Sequence, residues 1–434
     1  MRSVQALVIQ SALLALCLAG TAAAKPSAAE RALVKRVQAQ EQSSIALLEQ
    51  IVNVNSGTLN FAGVRKVADL LRPHFEALGF KVRWEDGAAF GRAGHLIAEH
   101  PGPGRHVLLI GHLDTVFEPS HPFQRFERID AQTVRGPGTS DMKGGLVVAL
   151  AALTALKETK ALDGMHITMV MMGDEEDAGQ PIAAARAALV EAAKAADVAI
   201  GLENGADDPK TALTARRGYT GWRIDVKARS AHSSQIFTDD VGAGAIYELS
   251  RILHTFYDEL HGEELLTFNP GLIAGSTQLN FDQEKLRAET FGKDNIVAPV
   301  AVATGDLRTI SSEQLERTKE RMRRIVAASL PQTAATIAFT DSGPPMPPTE
   351  GNKKLLTMYD AVSRDLGFGA VTAVDPRRAG AADISYAADY VEMAIDGIGL
   401  LGRGNHTPEE IADLRTFPIQ SQRLAVLLLR LEKG

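Results

Sequence analysis

Residues 106–111 read His-Val-Leu-Leu-Ile-Gly, an almost uninterrupted apolar run that is typical of a β-strand covered on both faces. Two more runs of this kind occupy residues 165–172 and 198–202. Helical patterns separate the three runs, over residues 144–157 and 183–196. Strands that alternate with helices in this way predict an α/β fold, in which a mostly parallel sheet is flanked by helices.

The pattern changes in the middle of the chain. Residues 221–228 alternate apolar and polar side chains, which predicts a strand with one exposed face. Further helical and strand-like segments follow it. We therefore predict that residues 211–326 form an inserted α+β domain, and that residues 25–210 and 327–434 together form the domain around it.

The chain begins with the pattern of a targeting signal. A single charge, Arg2, precedes residues 4–20, which are mostly apolar, and three alanines end at Ala24. A charged start, a short apolar core and a small-residue end predict a secretory signal peptide over residues 1–24. A transmembrane anchor is the alternative, and the shortness of the apolar run argues against it. The mature protein would then be periplasmic or secreted.

The composition excludes several classes of function. The 434 residues carry 46 Lys and Arg against 53 Asp and Glu, a net charge of -7, and only 5% of them are aromatic. These values argue against nucleic acid or an anionic membrane surface as the main partner, because both require dense positive charge. Cys17 is the one cysteine, so an internal disulfide and a thiolate metal site are both excluded. Any metal must therefore be held by His, Asp and Glu.

Two candidate motifs lie near the first apolar run. His112 and Asp114 directly follow it, and a spacing of two in extended chain puts both side chains on one side. His112 could bind a metal while Asp114 orients its ring, although an ordinary surface histidine is the alternative. Asp141 lies in a glycine-rich turn before a predicted helix, where it could bridge two cations or simply cap the helix.

Three further candidates follow later apolar runs or turns. Residues 174–177 are four consecutive acids directly after a strand, an unfavourable concentration of charge unless a cation neutralises it or the loop is solvated. Glu203 ends the next apolar run. His406 precedes Thr407 and Glu410, whose spacing matches a capping box and predicts a helix start just after the histidine.

Taken together and in this order, the five motifs resemble the M20 family of metallopeptidases, especially its exported glutamate carboxypeptidase-like branch. The resemblance implies a zinc-peptidase-like catalytic domain and an inserted domain that serves as lid and dimerisation unit. It also implies two zinc ions per subunit, for which Co2+ or Mn2+ could substitute. The implied ligands are His112, Asp141 and Glu203 for one ion, and Asp141, Glu176 and His406 for the other.

The resemblance further implies roles in catalysis and substrate binding. Glu175 matches the general base that activates a water bridging the two ions, and Asp114 matches the residue that orients a histidine ligand. His232 resembles a lid histidine that reaches the active site of a partner subunit in a homodimer. Three other residues match positions that contact substrate, namely Asn295, Arg308 and Gly380.

These inferences lead to one expected function and several alternatives. We expect an exported hydrolase that cleaves an amide bond next to a free carboxylate, as a carboxypeptidase or dipeptidase acting on small peptides. An N-acyl-amino-acid amidohydrolase is the main alternative. An inactive periplasmic binding protein and another kind of two-metal hydrolase, such as a phosphatase, are the others. The family's usual pattern is not kept at residues 177–181 or 341–348, which leaves the released amino acid open.

Overall fold

The structure, a computed structural model, describes residues 25–283 and 285–433. The predicted signal peptide, residues 1–24, lies outside the described residues, so export stays a prediction. In the part of the chain that is described, no helix combines the length and the apolar character that crossing a membrane requires.

Helices and short strands are interspersed along the chain. The described α-helices are α1 (Ala28–Val52), α2 (Phe61–Ala77), α3 (Lys143–Glu158), α4 (Ile182–Ala185), α5 (Ala187–Ala195), α6 (Gly244–Leu260), α7 (Ser312–Ala327), α8 (Glu350–Asp365) and α9 (Thr416–Lys433). The described strands are β1 (Lys81–Asp86), β2 (Gly94–His100), β3 (His106–His112), β4 (Glu127–Arg128), β5 (Thr133–Arg135), β6 (His166–Met172), β7 (Val198–Gly201), β8 (Thr211–Ala212), β9 (Tyr219–Ala228), β10 (Thr267–Ser276), β11 (Gln278–Asp282), β12 (Arg287–Phe291), β13 (Val300–Arg308), β14 (Thr333–Gly343), β15 (Thr372–Ala373), β16 (Met393–Ile395), β17 (Gly402–Arg403) and β18 (Ile411–Asp413).

A six-stranded sheet in the order β1-β2-β6-β3-β7-β16 forms the centre of the larger domain. The four neighbouring strands β6, β3, β7 and β16 are parallel to one another. At one edge, β2 runs antiparallel to both of its neighbours, β1 and β6. The prediction of an α/β fold with a mostly parallel sheet is therefore confirmed. Every residue of β3 is buried, as its apolar sequence predicts for a central strand.

Helices cover both faces of this sheet. On one face, α1, α3 and α9 pack against one another and over side chains such as Leu109 and Met169. On the other face, α5 packs against β3 and β6, and its Leu189 joins Leu108 and Val170. Alternate residues of each strand thus enter two different cores, which is why these strands tolerate so few polar residues.

The parallel pairing brings the ends of three strands to the same edge. His112 at the end of β3 lies opposite Met172 at the end of β6, and Ile110 lies opposite Gly201 at the end of β7. Residues that follow these strands must therefore gather at one place, which is where ligands bind in open α/β sheets.

The inserted domain has a sheet of its own, in the order β10-β13-β9-β14 with antiparallel pairing throughout. Helices α6 and α7 cover one face of it and bury Trp222, Phe256 and Met322. The strand β14 extends this domain to Gly343, so the predicted end at residue 326 is one strand too early. That strand alternates mostly small and polar side chains on a half-exposed sheet, which makes its sequence pattern weak.

The predicted start of the insertion at residue 211 is also displaced. Thr211 and Ala212 pair with β15, and Leu213 pairs with Asp396, so these residues belong to the larger domain. The inserted sheet begins only with β9. The displacement arises because the pairing partners of these residues lie 161 and 183 residues further along the chain, a separation that no local sequence pattern reveals.

Candidate metal centre

The first candidate ligand group lies at the end of β3. The His112 Nε2 atom is 3.3 Å from Asp141 Oδ1 and 3.4 Å from Glu203 Oε1. His112 is almost fully buried, because its backbone belongs to the central strand. Asp141 comes from the turn before α3, and Glu203 follows β7. Three separate segments thus direct nitrogen and oxygen atoms at one point.

The second group shares a residue with the first. The His406 Nε2 atom is 3.1 Å from Asp141 Oδ2 and 3.0 Å from Glu176 Oε2. Within each group, the potential ligand atoms all lie within 4.8 Å of one another. The two oxygens of Asp141 face different histidines, Oδ1 toward His112 and Oδ2 toward His406. A carboxylate in this position can bridge two cations.

Asp114 connects the histidine to the acidic turn after β6. Its Oδ1 atom lies 3.3 Å from His112 Nδ1, on the side of the ring opposite the candidate ligand nitrogen. Its carboxylate also accepts the backbone N–H groups of Glu175 and Glu176, at 3.2 Å each, and the Thr58 hydroxyl at 2.7 Å. Asp114 therefore orients the His112 ring through its carboxylate and through its backbone carbonyl, 3.1 Å from Nδ1, and its carboxylate also holds the turn that carries both glutamates.

A cavity of about 260 Å³ opens beside the two groups. It is lined by Asp141, Glu175, Glu203, Arg216, Gly380 and His406, together with Asn204, Ala381, Ala382 and Asn405. Burial raises the pKa of Glu175 well above the usual carboxyl range. Asp174, the first of the four consecutive acids, is not in this cavity because it points away and forms a buried ion pair with Arg186 at 2.8 Å.

Two residues that support this site were missed from the sequence. Asp396 accepts the backbone N–H of Glu203 at 3.3 Å and pairs with Arg216 at 2.8 Å. Arg216, only 6% exposed, also donates to the Gly380 carbonyl at 2.8 Å. Asp396 directly follows the apolar strand β16, the same signal that marked Glu203, and could have been found by it. Nothing local distinguishes Arg216 from a surface arginine.

The prediction of a helix start after His406 is wrong. The chain turns there and continues into the strand β18. The carboxylate of Glu410 does not cap its own turn, since it accepts the backbone N–H groups of Gly138 and Ser140 in the turn before α3. Those N–H groups are buried and need an acceptor, and this demand overrides the local capping pattern.

Comparison with known families adds to this geometry. The model of peptidase family M20/M25/M40 matches residues 108–430, well over half of the chain. The chain belongs to the M20 family. It is therefore related to metallopeptidases, and the matched region includes all five candidate ligands and the whole inserted domain.

Individual relatives agree with this assignment. Carboxypeptidase G2 of Pseudomonas sp. (strain RS-16) is 26% identical over 436 residues, which cover 100% of this chain and 99% of that protein. A probable succinyl-diaminopimelate desuccinylase of Staphylococcus epidermidis is 31% identical over 201 residues, 45% of this chain and 46% of that protein. The YXEP protein of Bacillus subtilis, described as a dinuclear metal binding M20 peptidase, superposes with a TM-score of 0.64 at 15% identity. That superposition covers 91% of this chain and 99% of the other, and it supports the fold.

Three residues that the M20 resemblance singled out lie in the inserted domain, away from the cavity. His232 and Asn295 are exposed, and the Asn295 carbonyl accepts the Ser233 N–H at 2.9 Å. Arg308 lies 2.9 Å from Asp306 and 4.6 Å above the centre of the Tyr219 ring. It lines a second cavity, on the sheet of the inserted domain. Among the described residues of one chain, these three do not line the cavity beside the candidate ligands.

The pKa values of the candidate ligands indicate that positive charge is favourable between them. Burial raises the pKa of Glu176, and it raises the pKa of Glu203 to about 7. Hydrogen bonds to Asp141 and Glu176 raise the pKa of His406 to about 11. The pKa of His112 is also well above its usual value, because neighbouring carboxylates outweigh the opposite effect of burial. A divalent cation in each group would supply the same charge, so these residues fit two metal ions.

Proposed function

We propose that this M20 enzyme is an exported hydrolase that uses two zinc ions to cleave an amide bond next to a free carboxylate. The observation that carries the proposal is the position of Asp141, whose two oxygens face two different histidine and carboxylate groups. The similarity to carboxypeptidase G2 over the whole chain supports a carboxypeptidase or dipeptidase activity. The N-terminal pattern of residues 1–24 supports export.

The ligand set suits zinc. His112, Asp141 and Glu203 would hold one ion, and Asp141, Glu176 and His406 the other. Zinc binds imidazole nitrogen and carboxylate oxygen readily, and Co2+ or Mn2+ would fit the same atoms. When bound, two such ions would polarise the scissile carbonyl and lower the pKa of the attacking water.

Glu175 is the residue to which we assign proton transfer. It lines the cavity beside both groups, and its backbone is held by Asp114 at 3.2 Å. Its carboxylate would take a proton from the attacking water and deliver it to the leaving amine. The amide bond then breaks, and a free amine and a free carboxylic acid are the products.

Substrate binding would involve both domains. Gly380 lines the cavity, and its carbonyl is held by Arg216 at 2.8 Å. We propose that Asn295 and Arg308 bind the free carboxylate of the substrate, since an arginine can bind a carboxylate through two parallel hydrogen bonds. His232 would stabilise the oxyanion in a partner subunit, which is consistent with its exposure within one chain.

An N-acyl-amino-acid deacylase is the second candidate. The similarity to a probable succinyl-diaminopimelate desuccinylase over about half of the chain favours it. Both activities break an amide bond next to a carboxylate, so the same residues would serve either one. A panel of dipeptides and N-acyl amino acids, assayed with the zinc-loaded enzyme, would separate them. Zinc binding without hydrolysis of any member would instead favour an inactive binding protein.

Replacement of Glu175 tests the proposed reaction. Glu175→Gln keeps the size of the side chain but removes its ability to accept a proton. We expect kcat to fall by about 10²-fold or more, with close to two zinc ions still bound per chain. Metal analysis and steady-state kinetics measure the two effects. Asp177→Asn, an exposed position two residues away, is the matched control and should keep the wild-type rate. Full activity of Glu175→Gln would overturn the assignment.

A further inference from the structure

Glu410 lies beneath the turn that carries Asp141, and the proposed chemistry does not use it. It is only 1% exposed. Its Oε1 atom accepts the backbone N–H groups of Ser140 at 2.9 Å and Asp141 at 3.1 Å, and its Oε2 atom accepts that of Gly138 at 3.0 Å. The hydroxyls of Thr139 and Ser140 lie 3.5 and 3.4 Å from Oε1. One carboxylate thus accepts three of the four backbone N–H groups of residues 138–141.

The demand for a carboxylate at this position follows from the donors. Three backbone N–H groups converge on one small volume that is closed to water, and each needs an acceptor. A carboxylate offers two acceptor oxygens and no donor, whereas an amide side chain would present an NH2 group to one set of these donors. Glutamine is therefore a poor replacement for Glu410 although it has the same shape.

The same residue connects the two turns that bear ligands of the second group. Glu410 and His406 belong to one turn, in which the Glu410 N–H donates to the Thr407 carbonyl at 3.1 Å. The Ser140 hydroxyl also lies 3.0 Å from the Asn405 side chain, and the Gly136 N–H donates to the Glu410 carbonyl at 3.3 Å. The positions of Asp141 and His406 are thereby linked through side-chain and backbone contacts.

His406 itself is in a conformation that needs such support. Its φ angle is 63°, in the left-handed region that residues other than glycine seldom adopt. Strained conformations of this kind persist only when surrounding contacts determine them. The hydrogen bonds of Glu410, four residues later in the same turn, supply contacts of this kind.

We propose that Glu410 is a positioning residue that fixes the turn of Asp141 against the turn of His406, and thereby sets the affinity for the second metal ion. The part that concerns the metal rests on the proposed function. The part that concerns the turn of residues 138–141 does not, so the two parts can be tested separately.

Hydrogen exchange tests the positioning of the turn without any metal. In metal-free protein, Glu410→Gln should speed exchange of the amides of residues 138–141 by about tenfold or more, because their acceptor is weakened. Glu409→Gln removes the same charge one residue away, at an exposed position, and should leave this exchange unchanged. Mass spectrometry of peptides that span the turn measures the rates. Equal protection in Glu410→Gln and wild type would overturn the proposal.

Zinc titration tests the coupling to the second ion. Wild type and Glu409→Gln should bind two zinc ions, whereas Glu410→Gln should lose about tenfold or more in affinity for the second ion and less for the first, because Asp141 belongs to both groups and His406 only to the second. A merely structural role would lower the affinity for both ions equally or for neither. Either result would contradict the coupling. If wild type binds no zinc, the proposed function fails, and the exchange experiment still decides the role of Glu410 in the turn.

A second variant covers the case in which Glu410→Gln does not fold. Glu410→Asp keeps the charge but withdraws it by one methylene group, so its oxygens cannot reach all of the donors. We expect intermediate values, with exchange of residues 138–141 about threefold faster and the second zinc affinity about threefold lower. Wild-type values for both quantities in Glu410→Asp would overturn the proposal.

Discussion

At the residue scale, the site depends on the direction of single atoms. Asp141 has one oxygen toward His112 and the other toward His406, so neither group is complete without it. Asp114 also contacts more than one part of the site. Its carboxylate lies beside the His112 ring and accepts the backbone N–H groups of Glu175 and Glu176. A change at either aspartate is therefore expected to disturb several contacts together.

His232 carries the residue-scale prediction. Its side chain is exposed, and its Nδ1 atom lies 2.9 Å from the Ser234 hydroxyl, away from every candidate ligand. If it stabilises the oxyanion, His232→Ala should lower kcat by about 10²- to 10³-fold and leave the bound zinc unchanged. Kinetics and metal analysis of the same preparation measure this. His254→Ala, an exposed histidine of α6, is the control. A wild-type rate in His232→Ala would remove the residue from the mechanism.

At the element scale, the first and last described helices hold one another in place. The N-terminus of α1 has a capping box, in which Ser27 and Glu30 exchange side-chain and backbone hydrogen bonds. Glu30 also lies 2.7 Å from Arg430 of α9, whose other nitrogen is 2.8 Å from Asp365 of α8. The guanidinium group of Arg430 thus connects α9 to both α1 and α8.

Glu30→Gln should destabilise the protein in a pH-dependent way. Burial alone raises the pKa of Glu30, but hydrogen bonds from Arg430 and Ser27 bring it below the usual value. The stabilisation is therefore complete above the ordinary carboxyl pKa and is lost as the pH falls through the lower, folded value. We expect a loss of about 1 kcal/mol in the free energy of unfolding at pH 7. This difference should shrink below about pH 4.

Urea unfolding at several pH values measures this difference. Glu49→Gln, at an exposed position near the other end of α1, is the matched control and should have little effect. A difference between wild type and Glu30→Gln that grows on acidification would contradict the assignment, because it has the opposite sign. An unchanged stability at pH 7 would mean that the contact with Arg430 contributes nothing net.

At the scale of the whole molecule, the inserted domain has an exposed apolar surface that includes part of its edge strand β10. This surface is formed by Phe237, Ile246, Tyr247 and Ile273, which are between 48% and 65% exposed. The rings of Phe237 and Tyr247 are 5.6 Å apart between centres, and Ile246 lies over the edge strand β10. An exposed apolar patch beside a strand that has no further sheet neighbour among the described residues is typical of a contact with another chain. We propose that this surface is the interface of a homodimer.

Tyr247→Glu tests the dimer. A charge in the middle of this patch should shift the enzyme to monomers in sedimentation velocity, and kcat should fall together with the dimer fraction. The fall is expected because His232 would no longer reach a partner's site. Tyr390→Glu, an exposed tyrosine of the larger domain, is the control. A monomeric Tyr247→Glu enzyme with full activity would refute the role of a partner subunit in catalysis. An unchanged dimer would show that the interface lies elsewhere.

Much of this molecule could be predicted from its sequence, for a physical reason. The buried strands β3, β6 and β7 are apolar on both faces, so their patterns are strong and local. Four of the five candidate ligands lie at the ends of those strands, just after them, or in the glycine-rich turn before α3, and His406 is the exception. Parallel strands end at one edge, and the structure accordingly brings together His112, Glu176 and Glu203. Local patterns therefore marked the segments that carry the candidate ligands, and the resemblance to the M20 family selected the individual residues.

Other features were decided only by the tertiary structure. The role of Glu410 depends on donors in a turn about 270 residues earlier, a distance that no local pattern spans, and its own neighbours suggest a capping box instead. The pairing of Arg216 with Asp396, 180 residues apart, is of the same kind. The strand β14 belongs to the inserted sheet because of its partner β9, not because of its own weak alternation. The sequence alone determined which segments are candidates for the chemistry and which strands precede them. The tertiary structure decided which charged groups and N–H groups hold the candidate site residues in place. The physical reason is that a buried polar group must bond to a partner that packing brings close, however distant that partner is in sequence.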